Sequence, residues 1–326
     1  MKRTRFQELD LTSIRTYSAQ GRDSMVDAGQ SAKRISSGMR VQELLQALPN
    51  VLKANELKEV AERIVQARIA GRPVIAMLGG HVIKTGCGLI LADLVERGLL
   101  THVAANGSVA IHDSELALFG RTSEDVAEQL RDGSFGMARE TADMVNSAAD
   151  LAAGESIGFG QALGELIHKR SADCAGHSLL ARCSALGVPC TLHVAMGTDI
   201  VHQHPSANGA SIGEASLRDF RILAATVSRL GDRGMVLNFG SAVLMPEVFL
   251  KALSVARNLG HSAAGFSTAN FDMIQHYRPG VNVLSRPVEG RGKGYAISGH
   301  HEIMIPLLAA AVLEEADACG EPFASG

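Results

Sequence analysis

Val74-Ile75-Ala76-Met77-Leu78-Gly79-Gly80-His81-Val82-Ile83-Lys84-Thr85-Gly86 is the stretch that decides the fold. Five consecutive apolar residues run into a glycine pair, and a mostly apolar helical pattern, Val82 to Arg97, follows directly. An unbroken apolar pentad suits a strand covered on both faces, and an exit through glycine straight into a helix is the first step of a parallel β-α-β unit. Moving outward, similar short apolar runs recur at His102 to Ala105, Cys190 to Val194, Met235 to Phe239, Ala263 to Ser267, Val281 to Leu284 and Tyr295 to Ser298. Between and around them lie helical patterns at Ser123 to Leu130, Met137 to Ala152, Phe159 to Lys169, Ala172 to Leu186, Glu214 to Leu230, Pro246 to Leu259 and His301 to Ala316. Upstream, the apolar residues from Val41 to Gly71 recur at helical spacing with a break at Pro49, which predicts two helices. The pattern predicts an α/β fold, a doubly wound, mostly parallel sheet with a helical N-terminal region.

A chain of 326 residues with 46% hydrophobic and 20% charged residues can bury a full core, and disorder is excluded. No low-complexity linker or tandem repeat divides it. The expected organisation is an arm over 1–38 and one α/β domain over 39–326, with a helical layer at about 122–188. A net charge of −3 with no basic stripe argues against nucleic acid, and the absence of Trp leaves little material for base stacking. Five cysteines (Cys87, Cys174, Cys183, Cys190, Cys319) form no C-x-x-C pair, so reduced thiols are expected. The polar start MKRTRFQELD and the lack of long apolar runs predict a soluble cytoplasmic protein without a membrane partner.

In an open parallel sheet the ligand crevice lies beyond the carboxyl ends of the strands. The segments that follow the apolar runs are Gly79-Gly80-His81-Val82-Ile83-Lys84-Thr85, Asn106-Gly107-Ser108 with His112-Asp113 beyond it, Gly197-Thr198-Asp199, Gly240-Ser241 and Thr268-Ala269-Asn270. Glycines there admit close backbone approach, and a helix that starts at once offers N–H groups to an anion such as a pyrophosphate. The first loop matches neither G-x-G-x-x-G nor the phosphate-loop pattern, because Ile83 stands where a Gly should precede Lys84. The several loops together nevertheless point to a nucleotide site.

The segments Pro73 to Glu115, Val188 to Asp199, Met235 to Ser241, Ser267-Thr268-Ala269 and Pro306-Leu307-Leu308 resemble, in order over roughly residues 70–312, the deoxyhypusine synthase family. The resemblance implies a Rossmann-like NAD-binding fold and a homotetramer. It implies that Gly79, Gly80, His81, Lys84 and Thr85 occupy the family's first NAD-contacting loop, and that Asn106-Gly107, Thr198-Asp199, Gly240-Ser241 and Thr268-Ala269 match further cofactor positions. Two family features are missing. The imine-forming lysine of a Trp-Gly-Lys context is replaced by Leu284-Ser285-Arg286, and the histidine after the glycine run by Leu244 to Glu247. Arginine stays protonated and cannot form an imine. Lys293 lies nearby at a different spacing.

The catalytic candidates are therefore Lys84, His81, His112 and Asp113, with Asp199 as a further carboxylate for handling protons or binding a substrate cation. Neighbours on a helix do not face each other, so partners for His112 and Asp113 must come from elsewhere. The expected activity is that of a divergent NAD-dependent enzyme acting on a small amine or amino acid through an imine. Two alternatives stay open. One is a metal-dependent hydrolase or lyase built on His202, His204, His300, His301 and Glu302; the other is a nucleotide-binding protein without catalysis.

Overall fold

The computed structural model describes residues 5–170 and 175–320. The expectations at Ala172 to Cys174, and the ends of the arm and of the domain, lie outside the described residues. In chain order the elements are α1 (Val41–Ala47), α2 (Leu52–Ile69), β1 (Val74–Leu78), α3 (Gly80–Lys84), α4 (Gly88–Glu96), β2 (His102–Asn106), α5 (Gly107–Phe119), α6 (Val126–Gln129), α7 (Arg139–Glu155), α8 (Phe159–Arg170), α9 (Leu179–Ala185) and β3 (Cys190–His193). They continue with α10 (Gly209–Val227), β4 (Met235–Phe239), α11 (Leu244–Asn258), β5 (Ser267–Asp272), α12 (Tyr277–Asn282), β6 (Gly294–Ser298) and α13 (His301–Cys319).

Every strand pairing is parallel, and the order is β3-β2-β1-β4-β5-β6. This is the doubly wound Rossmann-like arrangement, in which the order reverses between β1 and β4. The reason lies in β1 itself. Val74, Ala76 and Leu78 join one core with Leu237 and Phe239 of β4, Ile64 of α2, Leu91 of α4 and Leu308 of α13. Ile75 and Met77 join a second core with Val236, Leu223 of α10 and Phe249 of α11. Both faces of the central strand must be apolar because helices cover both.

Several sequence expectations move, among them the helix read over Val82 to Arg97, which breaks at Gly86 (φ +79) into α3 and α4. The fifth strand is Ser267–Asp272 instead of Ala263 to Ser267, so Thr268 and Ala269 lie inside it and are buried. A run as polar as Ser-Thr-Ala-Asn-Phe-Asp can be central because its polar groups are paired: the Thr268 hydroxyl donates to the Val283 carbonyl (2.8 Å), and Asn270 Oδ1 accepts from Asn238 Nδ2 (2.6 Å). The stretch Val281 to Leu284 forms no strand. Its first residues complete α12, where Pro279 sits in the first turn that tolerates it, and Val283 packs into the second core. A helix not marked in the sequence, α5, follows β2 directly. Among the described residues no helix is long and apolar enough to cross a membrane.

Candidate functional site

The first loop, the end of β2 and the end of β4 meet where the strand order reverses. Gly79 follows β1, and a Cβ there would fall 2.4 Å from the Gly240 carbonyl oxygen beyond β4. Gly240 has φ +67, and a Cβ on it would lie 2.5 Å from Cε1 of His301. These glycines therefore draw neighbouring loops against one another across the reversal. His301, at the start of α13, is buried, and its Nε2 donates to the Phe271 carbonyl (3.1 Å). The exposed His81 ring stands edge-on to it, with centroids 5.8 Å apart. Ser241 is buried, and its hydroxyl oxygen accepts from Met245 N–H (3.1 Å) in the first turn of α11.

On the other side, a Cβ on Gly80 would lie 2.6 Å from Ser108 Cβ and 3.2 Å from His112 Cδ2, so the first loop leads directly into α5. Beyond it opens a cleft of about 240 Å³ lined by Lys84, Ser108, His112, Glu115, Glu124, Thr198 and Asp199, among others. Three carboxyls and one ammonium line it, and no ion pair joins Lys84 to a carboxylate among the described residues.

His112 and Glu115 stand one turn apart on α5. His112 Nδ1 lies 2.7 Å from the Thr122 hydroxyl, and that hydroxyl donates to Glu115 Oε2 at 2.5 Å. Thr141 donates to the other carboxylate oxygen (3.1 Å). Burial acts to raise the Glu115 carboxyl, but the neighbouring His112 imidazole and the hydrogen bonds from Thr122, Thr141 and Ser123 outweigh it and hold the group below its ordinary range. His112 Nε2 has no partner among the described residues, and the ring lines the cleft.

Asp199 is nearly buried against the start of α5. A Cβ on Gly107 would fall 2.0 Å from its Oδ2, so only glycine leaves room for the carboxylate. Burial raises the Asp199 carboxyl, a shift opposed in part by His202.

The remaining sequence candidates serve the framework. The Thr85 hydroxyl donates to the His81 carbonyl (3.0 Å) at the end of α3, and Asn106 Oδ1 accepts from Val109 N–H (3.3 Å) as the cap of α5. Asp113 points away from the cleft: its buried carboxylate accepts from the Ser178 hydroxyl (2.5 Å) and from the N–H groups of Leu179 (2.9 Å) and Leu180 (3.1 Å), capping α9. Thr268 and Ala269 are interior to β5. Glu115, Thr122 and Glu124 escaped the sequence reading. The signal for the first of them was the i, i+3 spacing of His112 and Glu115, which faces the two side chains to one another on a helix.

The histidine loops do not converge. His202 Nδ1 accepts from Gly197 N–H (3.1 Å), and His204 Nε2 donates to the Gly136 carbonyl (2.8 Å). His300 instead lies 3.7 Å from Glu302. Among the described residues no three His, Cys, Asp or Glu side chains gather as a metal site.

No family model matches the sequence, and no curated protein matches it. Among solved structures it is similar to AgrE in a ternary complex with ornithine and NAD+, at 15% identity and a TM-score of 0.52, over 86% of this chain and 34% of that one. A second likeness is to an Entamoeba histolytica protein assigned as a deoxyhypusine synthase, at 10% identity and a TM-score of 0.50, over 87% of this chain and 96% of that one. The chain spans about a third of the length of AgrE. At these identities the likeness is one of fold, and the fold is Rossmann-like: an all-parallel six-stranded sheet between helices.

Proposed function

We propose that the protein is an NAD-dependent enzyme that acts on a small amine or amino acid by way of an imine. The observation that carries this reading is one of placement. A carboxylate-lined cleft with an open imidazole nitrogen adjoins the reversal point of a doubly wound sheet, where such folds take dinucleotides.

Charge divides the two ligands. A pyrophosphate is disfavoured among Glu115, Glu124 and Asp199 but suits the first loop, where His81 and Lys84 are exposed and cationic or neutral side chains prevail. Gly79, Gly80, Gly240 and Ser241 shape that loop pair and would flank the dinucleotide. Thr198 and Asp199, with Asn106-Gly107 behind them, offer hydroxyl and carboxylate oxygens to ribose or substrate. An ammonium fits the cleft, where Glu124 and Asp199 supply the opposite charge. NAD, when bound beside the first loop, would supply the hydride acceptor for the carbon that bears nitrogen. The chain's own residues would first bind the cation through Glu124 and Asp199 and take its proton on His112 Nε2, which frees the nitrogen lone pair for the imine, and would hold the resulting imidazolium near Glu115. Both structural likenesses carry related chemistry in their names, ornithine with NAD+ in one and deoxyhypusine synthase in the other. The family resemblance implies a homotetramer, which light scattering tests.

Native mass spectrometry and a fluorescence titration with NAD test the cofactor, and a screen of amines and amino acids for reduced-nicotinamide absorbance tests the reaction. Saturable NAD binding with turnover of a cationic substrate supports the reading. NAD binding without turnover of any amine would leave a nucleotide-binding protein, and no NAD binding would refute the proposal.

A further inference from the structure

We propose that Thr122 is a positioning residue for His112: its hydroxyl, committed to the Glu115 carboxylate, fixes the imidazole proton on Nδ1 and presents an unprotonated Nε2 to the cleft. The catalytic consequence rests on the function proposed above; the tautomer itself is a property of the free protein.

The argument is one of donors and acceptors. An ionised carboxylate only accepts, and Glu115 takes hydroxyl protons from Thr122 on Oε2 (2.5 Å) and from Thr141 on Oε1 (3.1 Å). Threonine has one hydroxyl proton, and Glu115 receives it. The contact between His112 Nδ1 and Thr122 Oγ1, at 2.7 Å, must then be closed by a proton on Nδ1. In a neutral imidazole that leaves the lone pair on Nε2, the nitrogen without a protein partner. Glu115 cannot do this alone, because its nearest oxygen is 3.9 Å from Nδ1. The loop after α5 supplies the missing link by placing a hydroxyl between two side chains one helical turn apart. Burial protects the arrangement, since the Glu115 side chain is only 8% exposed and that of His112 16%. When Nε2 takes a proton, the imidazolium lies within ion-pair range of Glu115 through the same relay, which stabilises the product of proton transfer.

Nitrogen-15 spectra of histidine-labelled, full-length protein at about pH 8.5, where a histidine of ordinary pKa is neutral, read the tautomer directly. The His112 signals are assigned by their loss in His112→Gln. The expected wild-type pattern is a protonated Nδ1 and a pyridine-like Nε2. Thr122→Ser retains that pattern. Thr122→Val, of equal shape but without an acceptor, moves the proton to Nε2 and lowers kcat by about 10²-fold with little change in KM. A wild-type His112 protonated on Nε2, or an unchanged tautomer in Thr122→Val, would overturn the proposal. If Thr122→Val does not fold, the wild-type assignment and the Thr122→Ser spectrum decide. Failure to bind NAD would remove the proposed function yet leave this spectrum unaltered, so the two failures are distinguishable.

Discussion

Adjacent residues on α5 project about 100° apart around the helix axis, so His112 looks into the cleft while Asp113 is sealed inside. Burial pushes the Asp113 carboxyl up to about 6, against the hydrogen bonds from Ser178, Leu179 and Leu180. Its geometry is that of a helix cap, which gives the pair separable phenotypes. His112→Gln is expected to reduce turnover by about 10²- to 10⁴-fold while NAD binding and the melting temperature stay near wild type. Asp113→Asn is expected to cost about 1.5–3 kcal/mol of stability, read by urea denaturation, with turnover per folded molecule unchanged. A reversal of these two outcomes would move the catalytic base out of the cleft. Gly107 makes the same point about space. In Gly107→Ala the new methyl collides with the Asp199 carboxylate, and a loss of about 1–3 kcal/mol is expected, with weaker binding of a cationic substrate as Asp199 is displaced.

At the scale of the element, β1 and β4 were legible, because a strand buried on both faces is almost wholly apolar: β1 has no polar residue and β4 has one, Asn238, whose side chain is paired with Asn270. β5 was displaced, because its buried Thr268 and Asn270 are satisfied by partners distant in sequence, and a local pattern carries no record of them. The strands also contain ionisable groups that tie the sheet to its helices. His102 on β2 bonds Thr226 of α10 (2.9 Å) and Thr191 of β3 (3.0 Å), and His193 bonds the same Thr191 (3.0 Å). Burial lowers both imidazoles to about 3. The unfolded chain takes up protons on them below about pH 6.5 that the folded chain refuses, so their contribution to stability is lost as pH falls toward 3. Asp219 of α10 has the opposite sign. Burial pushes it up to about 7 although Phe159, Gly160 and Leu192 all donate N–H bonds to it. The folded carboxyl keeps a proton that the unfolded one releases above about 4, so its contribution is full at low pH and lost as pH rises through 7. Asp219→Asn therefore lowers stability most at pH 4. Between pH 4 and 7 the difference from wild type should shrink by about 1.4 kcal/mol per pH unit, measured by urea denaturation across that range. A constant difference would mean that Asp219 is ionised throughout.

The whole molecule joins a compact sheet to an extended lead-in, and the two differ in what they bury. Over residues 5–29 every residue is exposed, including Leu9, Leu11, Ile14, Tyr17 and Met25, and the segment contributes nothing to either core. Backbone hydrogen bonds join the lead-in to the body where Asn50 N–H donates to the Gln30 carbonyl (2.9 Å) and Lys33 N–H to the Ala47 carbonyl (2.9 Å). The charged and small polar composition of 1–38 led to the expectation of an arm, whereas the reversal point between β1 and β4 was legible only as a set of loops, since strand order depends on crossovers that periodicity does not encode. If the arm is independent of the fold, a chain beginning at Met39 loses two backbone hydrogen bonds worth about 1 kcal/mol each and almost no apolar burial. Its melting temperature should then fall by no more than about 4–8 °C at dilute concentration. A larger fall, growing with protein concentration and matched by a smaller mass in light scattering, would show instead that the exposed apolar side chains of the arm are covered by a second copy, and that 39–326 is not a self-sufficient domain.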